Sequence, residues 1–199
     1  MTKQPYREKL RTEVLAIARQ MLETEGLSAL HARRIAQSAG CSVGSLYNVF
    51  GDLDGLIIAV NMQTVADLRK ALTASDLGSA ALKLDERLAD LAITYARFAV
   101  ANAYRWRALF EHTLTGDRTI PETYRNDQAQ LLSLIEKNIA SEISDTAMRV
   151  RAGRALFAAV HGIVLLAIDS KLAPFDPQAM ELEIRFIVKA AAHGLGAAV

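Results

Sequence analysis

Between Arg33 and Asn48 the chain gathers side chains suited to gripping and reading a nucleic acid: Arg33, Arg34, Ser42, Val43, Gly44, Ser45, Tyr47 and Asn48. A guanidinium can bond two acceptors on a guanine edge, an amide can pair an adenine, and an aliphatic group such as Val43 can touch a thymine methyl. The hydroxyls of Ser42, Ser45 and Tyr47 suit phosphate oxygens at a helix N-terminus, and Gly44 lets the backbone come close. Phosphate contacts place a protein on the duplex; only contacts to base edges carry sequence information. Arg33 suits a base edge, a phosphate or solvent, and Asn48 a base edge or solvent.

Other chemistry finds little support. The four histidines, His31, His112, His161 and His193, are isolated, without the helical spacings that hold a metal. Cys41 is the single cysteine, so no intrachain disulfide or cysteine-based metal site can form, and it reads as a small packing residue or a redox-sensitive thiol. Gly194-Leu195-Gly196 is a fragment of a dinucleotide fingerprint, but a helix precedes it rather than a strand. No P-loop and no nucleophile-base set occurs. The residues therefore argue against an enzyme and call for no cofactor and no metal.

The elements that must hold the polar set follow from spacing. A short helix from about Ala32 to Ser38 turns Ile35 and Ala39 inward and leaves Arg33 and Arg34 outside. Gly40 can take the left-handed backbone that stops it. Ser42 then caps a second helix from about Val43, whose Leu46 and Phe50 face inward while Val43, Ser45, Tyr47 and Asn48 point out. Two short helices around a Gly-containing turn have the geometry of a helix-turn-helix, although any small helical hairpin shares that spacing. A helix from about Arg7 to Thr24, with Leu10, Val14, Ile17, Ala18, Met21 and Leu22 at helical intervals and Gly26 as its stop, supplies the third wall of a small core. Residues 1–9 read as a flexible basic arm, or as one whose Lys3, Arg7 and Lys9 add phosphate or minor-groove contacts.

Arg34-Ile35-Ala36, Ala39-Gly40, Ser42 to Tyr47 and Phe50, followed by Leu56, closely resemble the DNA-binding domain of the TetR family of transcriptional repressors over roughly residues 11–60. The chain departs from that pattern at three places. His31 stands where relatives have a capping Thr or Ser, Val49 where they have His, and Leu53 where they have a phosphate-gripping Lys. Asp52 and Asp54 flank Leu53; Asp52 suits the cap of the next helix, and two carboxylates there would repel a phosphate.

With 199 residues, 51% of them hydrophobic, 23% charged and only four prolines, the chain can bury a substantial core and shows no strand-like alternation of useful length, which argues for an all-α protein. The net charge of +1 conceals an asymmetry. Residues 1–50 hold seven Lys or Arg against four Glu, while the remainder is mildly acidic, as suits a phosphate-binding head on a neutral body. The N-terminus lacks the apolar core of a signal peptide, and the apolar stretch Ala155 to Ile168 falls short of the roughly 20 residues of a spanning helix. A cytoplasmic protein without a membrane partner is the expectation.

Beyond the head, apolar periodicity predicts helices over about 53–74, 83–101, a short one through Trp106, 121–142, 145–170 and 177–193, the last opened by Asp176 and Pro177, with a loop at Gly116 and Asp117. We divide the chain into a helix-turn-helix domain, 1–52, and a helical effector-binding and dimerisation domain, 53–199. The family resemblance implies a homodimer through the two C-terminal helices, binding of a near-palindromic operator in double-stranded DNA, and release by a small, largely apolar effector. Such an effector would sit among Tyr95, Phe98, Trp106, Phe110, Tyr124, Phe157 and His161, residues that read alternatively as core filling or, for His161 and His112, as hydrogen-bonded core histidines. RALFAAVHGIVLLA further resembles a subgroup with a Trp-His-Gly signature, Phe157 standing in the Trp position with His161 and Gly162 matching. Two other readings stay open: an adaptor module with a weakened head, and a DNA-binding regulator without an effector.

Overall fold

Good helix formers run through the first nine residues, and Pro5 falls in a first turn, where its missing N–H has no helical partner to lose. In the computed structural model, which describes residues 3–78, 82–115, 119–169 and 177–197, they open helix α1, Lys3–Glu25, so that the predicted flexible arm is helical from residue 3 onward. Gly26 ends α1 with φ 84°, a backbone that favours glycine, and a 3-10 turn, Leu27–Ala29, follows. Helices α2, Ala32–Ser38, and α3, Val43–Phe50, come next, then α4, Leu53–Gly78. The remaining helices are α5, Leu84–Ala101; α6, Ala103–Glu111; α7, Glu122–Asn138; α8, Thr146–Asp169; and α9, Pro177–Ala197. Among the described residues there is no strand, and the fold is all-α. The predicted loop at Gly116 and Asp117 and the predicted cap Asp176 lie outside the described residues.

The chain packs as two units, residues 1–66 with 102–125, and residues 67–101 with 126–199. In the first, Leu10, Val14, Ala18 and Leu22 of α1 meet Ile35 of α2, Leu46 of α3, and Leu56 and Val60 of α4. Fully burying an aliphatic side chain of this size contributes roughly 2 kcal/mol, so this cluster holds α2 and α3 at a fixed angle. Ala108 of α6 closes the same core, which is why residues 102–125, assigned from sequence to the second domain, pack with the head. Polar contacts add to it. The buried Arg105 guanidinium lies 3.3 Å from Thr64 Oγ1, 3.3 Å from Asn102 Oδ1 and 3.4 Å from Glu23 Oε1, and Asn61 Nδ2 donates to the Ala108 carbonyl at 3.0 Å.

The second unit is built on α5, α8 and α9, each packed against the other two. Leu88, Leu91, Ala96 and Ala99 of α5, Val160 and Val164 of α8, and Ile184 and Val188 of α9 are buried. Gly153 of α8 faces α7, where a Cβ would meet Glu136 Cγ at 3.4 Å and Ile135 Cγ2 at 3.8 Å, ordinary contact distances. On length and composition α8 is apolar enough to cross a membrane, more than the Ala155–Ile168 stretch suggested, and only 22% of its most apolar window is buried within the chain.

Candidate nucleic-acid interface

The turn between α2 and α3 is made as its sequence dictates. Gly40 takes φ 61°, and Ser42, in extended backbone, accepts a hydrogen bond from the Ser45 amide at 3.1 Å, capping α3. The Ser42 and Ser45 hydroxyls also lie 2.9 Å apart, so the two side chains share one hydrogen-bonded position at the positive end of α3. Among the described residues only Ser42 Oγ lies near the missing Cβ of Gly44, at 3.7 Å, so the backbone there stays open for close approach. Tyr47 and Asn48 are exposed, whereas Val43 is half-buried against the head's core. His31 precedes α2 in extended backbone and makes no side-chain cap. Val49 packs against the core.

The two arginines of α2 are not equivalent. Arg34 reaches back to Glu25 in a bidentate pair, Nη1 to Oε2 at 2.8 Å and Nη2 to Oε1 at 2.5 Å. That hydrogen bonding holds the Glu25 carboxyl below and the Arg34 guanidinium above their ordinary values. Arg34 thus ties the end of α1 to α2, and Arg33, exposed on the same helix, is the guanidinium presented outward. Cys41 packs against the head's core; burial, then the charge of Glu13, pushes its thiol up and away from a reactive thiolate.

At the start of α4 the structure corrects the picture of two exposed carboxylates. Asp52 does cap the helix, accepting from the Gly55 amide at 2.9 Å. Asp54 is buried instead. It accepts from the Thr115 hydroxyl at 2.6 Å and the Thr115 amide at 3.1 Å, and lies 3.0 Å from His112 Nε2. The Thr115 hydroxyl first, and His112 second, hold its carboxyl down at about 2. Leu53 packs against the head's core, so no cation extends from this turn and Asp54 does not face a phosphate either. Nothing in the local sequence announces this cluster, whose members lie 58 and 61 residues apart.

The residues proposed from sequence to line an effector pocket divide between the two units. Trp106 and Phe110 pair on α6 in the first, with ring centroids 5.2 Å apart; Trp106 is buried and Phe110 is 50% exposed. Tyr124, buried on α7, also belongs to the first unit. The second unit brings Tyr95, Phe157 and His161 together. The Tyr95 hydroxyl lies 2.8 Å from His161 Nδ1, the Tyr95 and Phe157 rings meet edge-on at 5.7 Å, and Phe157 and His161 lie 5.4 Å apart. Burial holds the His161 imidazole below its ordinary value and so favours the neutral ring. Phe98 is half-buried on α5, one turn from Tyr95.

Two family models match the chain: "Bacterial regulatory proteins, tetR family" over residues 14–60, and "Tetracyclin repressor-like, C-terminal domain" over residues 88–189. No curated protein sequence matches it. Among solved structures the fold is similar to that of a protein of unknown function from Rhodococcus sp. RHA1, 22% identical with a TM-score of 0.75 over 94% of this chain and 95% of that one. It is also similar to a protein from Mesorhizobium loti assigned to the TetR family of transcriptional regulators, 17% identical, TM-score 0.62, covering 94% and 97%. A third is BioQ, solved with its natural double-stranded DNA operator: 19% identical, TM-score 0.67, covering 94% and 98%.

Proposed function

Because the chain belongs to the TetR family of bacterial transcriptional regulators, we propose that it is a repressor that binds a near-palindromic operator as a homodimer and lets go when a small, largely apolar effector enters its second unit. The observation that carries the reading is the α2–α3 pair itself: a Ser-capped α3 that exposes Ser42, Tyr47 and Asn48 beside Arg33, on a rigid apolar core. Ser42, Ser45, Tyr47 and Gly44 would take phosphates, and Arg33, Val43 and Asn48 base edges. Arg34 would act by holding α2 in place.

Dimerisation is supported by α8 and α9. Leu165 and Leu166 are each 38% exposed, Leu182 69% and Phe186 76%, an outlay of apolar surface that a second copy would cover. For the effector, the support is the Tyr95, Phe157 and His161 group, an aromatic wall carrying a polar pair. The Tyr95 hydroxyl and His161 Nδ1, 2.8 Å apart, are the polar pair in that wall that would orient an effector. Release needs the effector to prefer the arrangement that cannot bind DNA, since equal affinity shifts nothing.

The test is binding of the purified protein to its own upstream DNA at several salt concentrations, with a scrambled duplex as control. Specific, salt-sensitive binding with two chains per site supports the regulator. Equal, weak binding of both duplexes by the wild type and by Leu53→Lys overturns it in favour of an adaptor.

A further inference from the structure

Helix α1 starts at Lys3, yet its first buried side chain is Leu10, so nearly two turns overhang the head's core. Leu10, Val14, Ala18 and Leu22 define the face of α1 turned to that core. At about 100° per residue, Arg7 lies on this same face, one turn before Leu10, and Arg11 stands about 40° round from it. Arg7 therefore projects from the core side of α1 where there is no more core to cover it, and it is exposed. Arg11 is placed by packing: its guanidinium carbon lies 5.1 Å from the centre of the Phe50 ring, at the last residue of the candidate recognition helix. An arginine held over a ring by a cation–π contact keeps N–H donors for an anion and is partly ordered before one arrives.

We propose that Arg7 and Arg11 form a phosphate-binding pair for the DNA backbone, beside the C-terminal end of α3, and that they replace the grip that the first turn of α4 lacks. That turn offers Leu53 packed in the core, Asp52 engaged as a cap and Asp54 turned inward. Opposing charge on α1 stands elsewhere: Glu8 is about 100° round from Arg7, and Glu13 lies by Cys41 at the helix-turn-helix turn. Lys9, about 160° from Arg7, is exposed on the far side of the same helix.

The proposal rests on the DNA-binding reading, and the experiment separates the two. Wild type, Arg7→Gln, Arg11→Gln and Lys9→Gln are titrated with a labelled mixed-sequence duplex and with the chain's own upstream DNA across a range of salt. Arg7→Gln and Arg11→Gln should each flatten the plot of log K against log salt by about one unit and weaken both duplexes by a similar factor, while Lys9→Gln leaves the slope unchanged. Arg11→Gln also removes a ring contact, so the exposed Arg7→Gln decides. A wild-type slope in Arg7→Gln, or an equal fall in Lys9→Gln, overturns the pair as a site. If neither wild type nor Leu53→Lys prefers the upstream DNA, the regulator reading fails, and the slopes on the mixed-sequence duplex still judge the arginines.

Discussion

His112 Nε2 lies 3.0 Å from Asp54 Oδ1, so the cap of α6 is joined to the first turn of α4 one helix turn beyond the recognition element. With both Thr115 donors on its other oxygen, the Asp54 carboxylate is fully engaged. Its folded-state value of about 2 lies below its ordinary 3.8. The stability it contributes is therefore present above about pH 4 and is lost as pH falls toward 2. Allowing for solvent screening, that is about 1–2 kcal/mol. Asp54→Asn should lower the urea midpoint at pH 7 and remove this part of the acid sensitivity. An unchanged acid limb in Asp54→Asn would count against the cluster.

Gly55 lies where α4 passes the end of α3. A Cβ there would stand 2.0 Å from the Phe50 carbonyl oxygen, which is backbone and cannot swing away. Gly55→Ala should destabilise the head by about 1–3 kcal/mol, the range of an overpacked core, and displace α3 enough to weaken DNA binding. Thermal denaturation and a binding isotherm read the two effects, and a wild-type Tm would refute the contact.

Arg33 and Arg34 should part company in a specificity measurement. Arg33→Gln is expected to relax discrimination at one base pair by about 1–3 kcal/mol. Arg34→Gln, which removes only the tie to Glu25, should weaken cognate binding without changing base preference at any position. Competition among single-base operator variants reports both; a preference shift in Arg34→Gln alone reverses the assignment.

His161 should be neutral at pH 7 in the native protein, because burial depresses its value below the ordinary 6.5. The unfolded chain then binds more protons than the folded one just below that point, so stability falls as pH drops through about 6.5. An NMR titration that placed His161 at or above its ordinary value would contradict this. Tyr95→Phe should leave the second unit folded while weakening, in a calorimetric titration, an effector oriented by the Tyr95–His161 pair.

Leu182 and Phe186 stand one turn apart on α9 and, among the described residues, are the most exposed large apolar side chains of the second unit. Replacing both with Glu should give monomers by light scattering, with helical content retained and operator affinity sharply reduced. Persistence of a dimer would move the interface elsewhere.

The helix-turn-helix was legible in the sequence because each of its signals is local. Ile35 and Leu46 sit at helical spacing, Gly40 supplies a left-handed residue, and Ser42 lies three residues before the amide it caps, so the bounds of α2 and α3 follow from short stretches of chain. The all-α class follows likewise from apolar periodicity over whole helices. The rest depended on partners distant in sequence. Whether Asp54 faced a phosphate or the interior was decided by His112 and Thr115, and whether Arg34 was free by Glu25 across the α1–α2 turn. Likewise α6 joined the head through Ala108 in its core and Arg105 against Glu23 and Thr64, not through any feature of its own periodicity. A charged side chain announces only that it needs a partner; which one it finds is settled when packing of distant segments brings donor and acceptor atoms within about 3 Å.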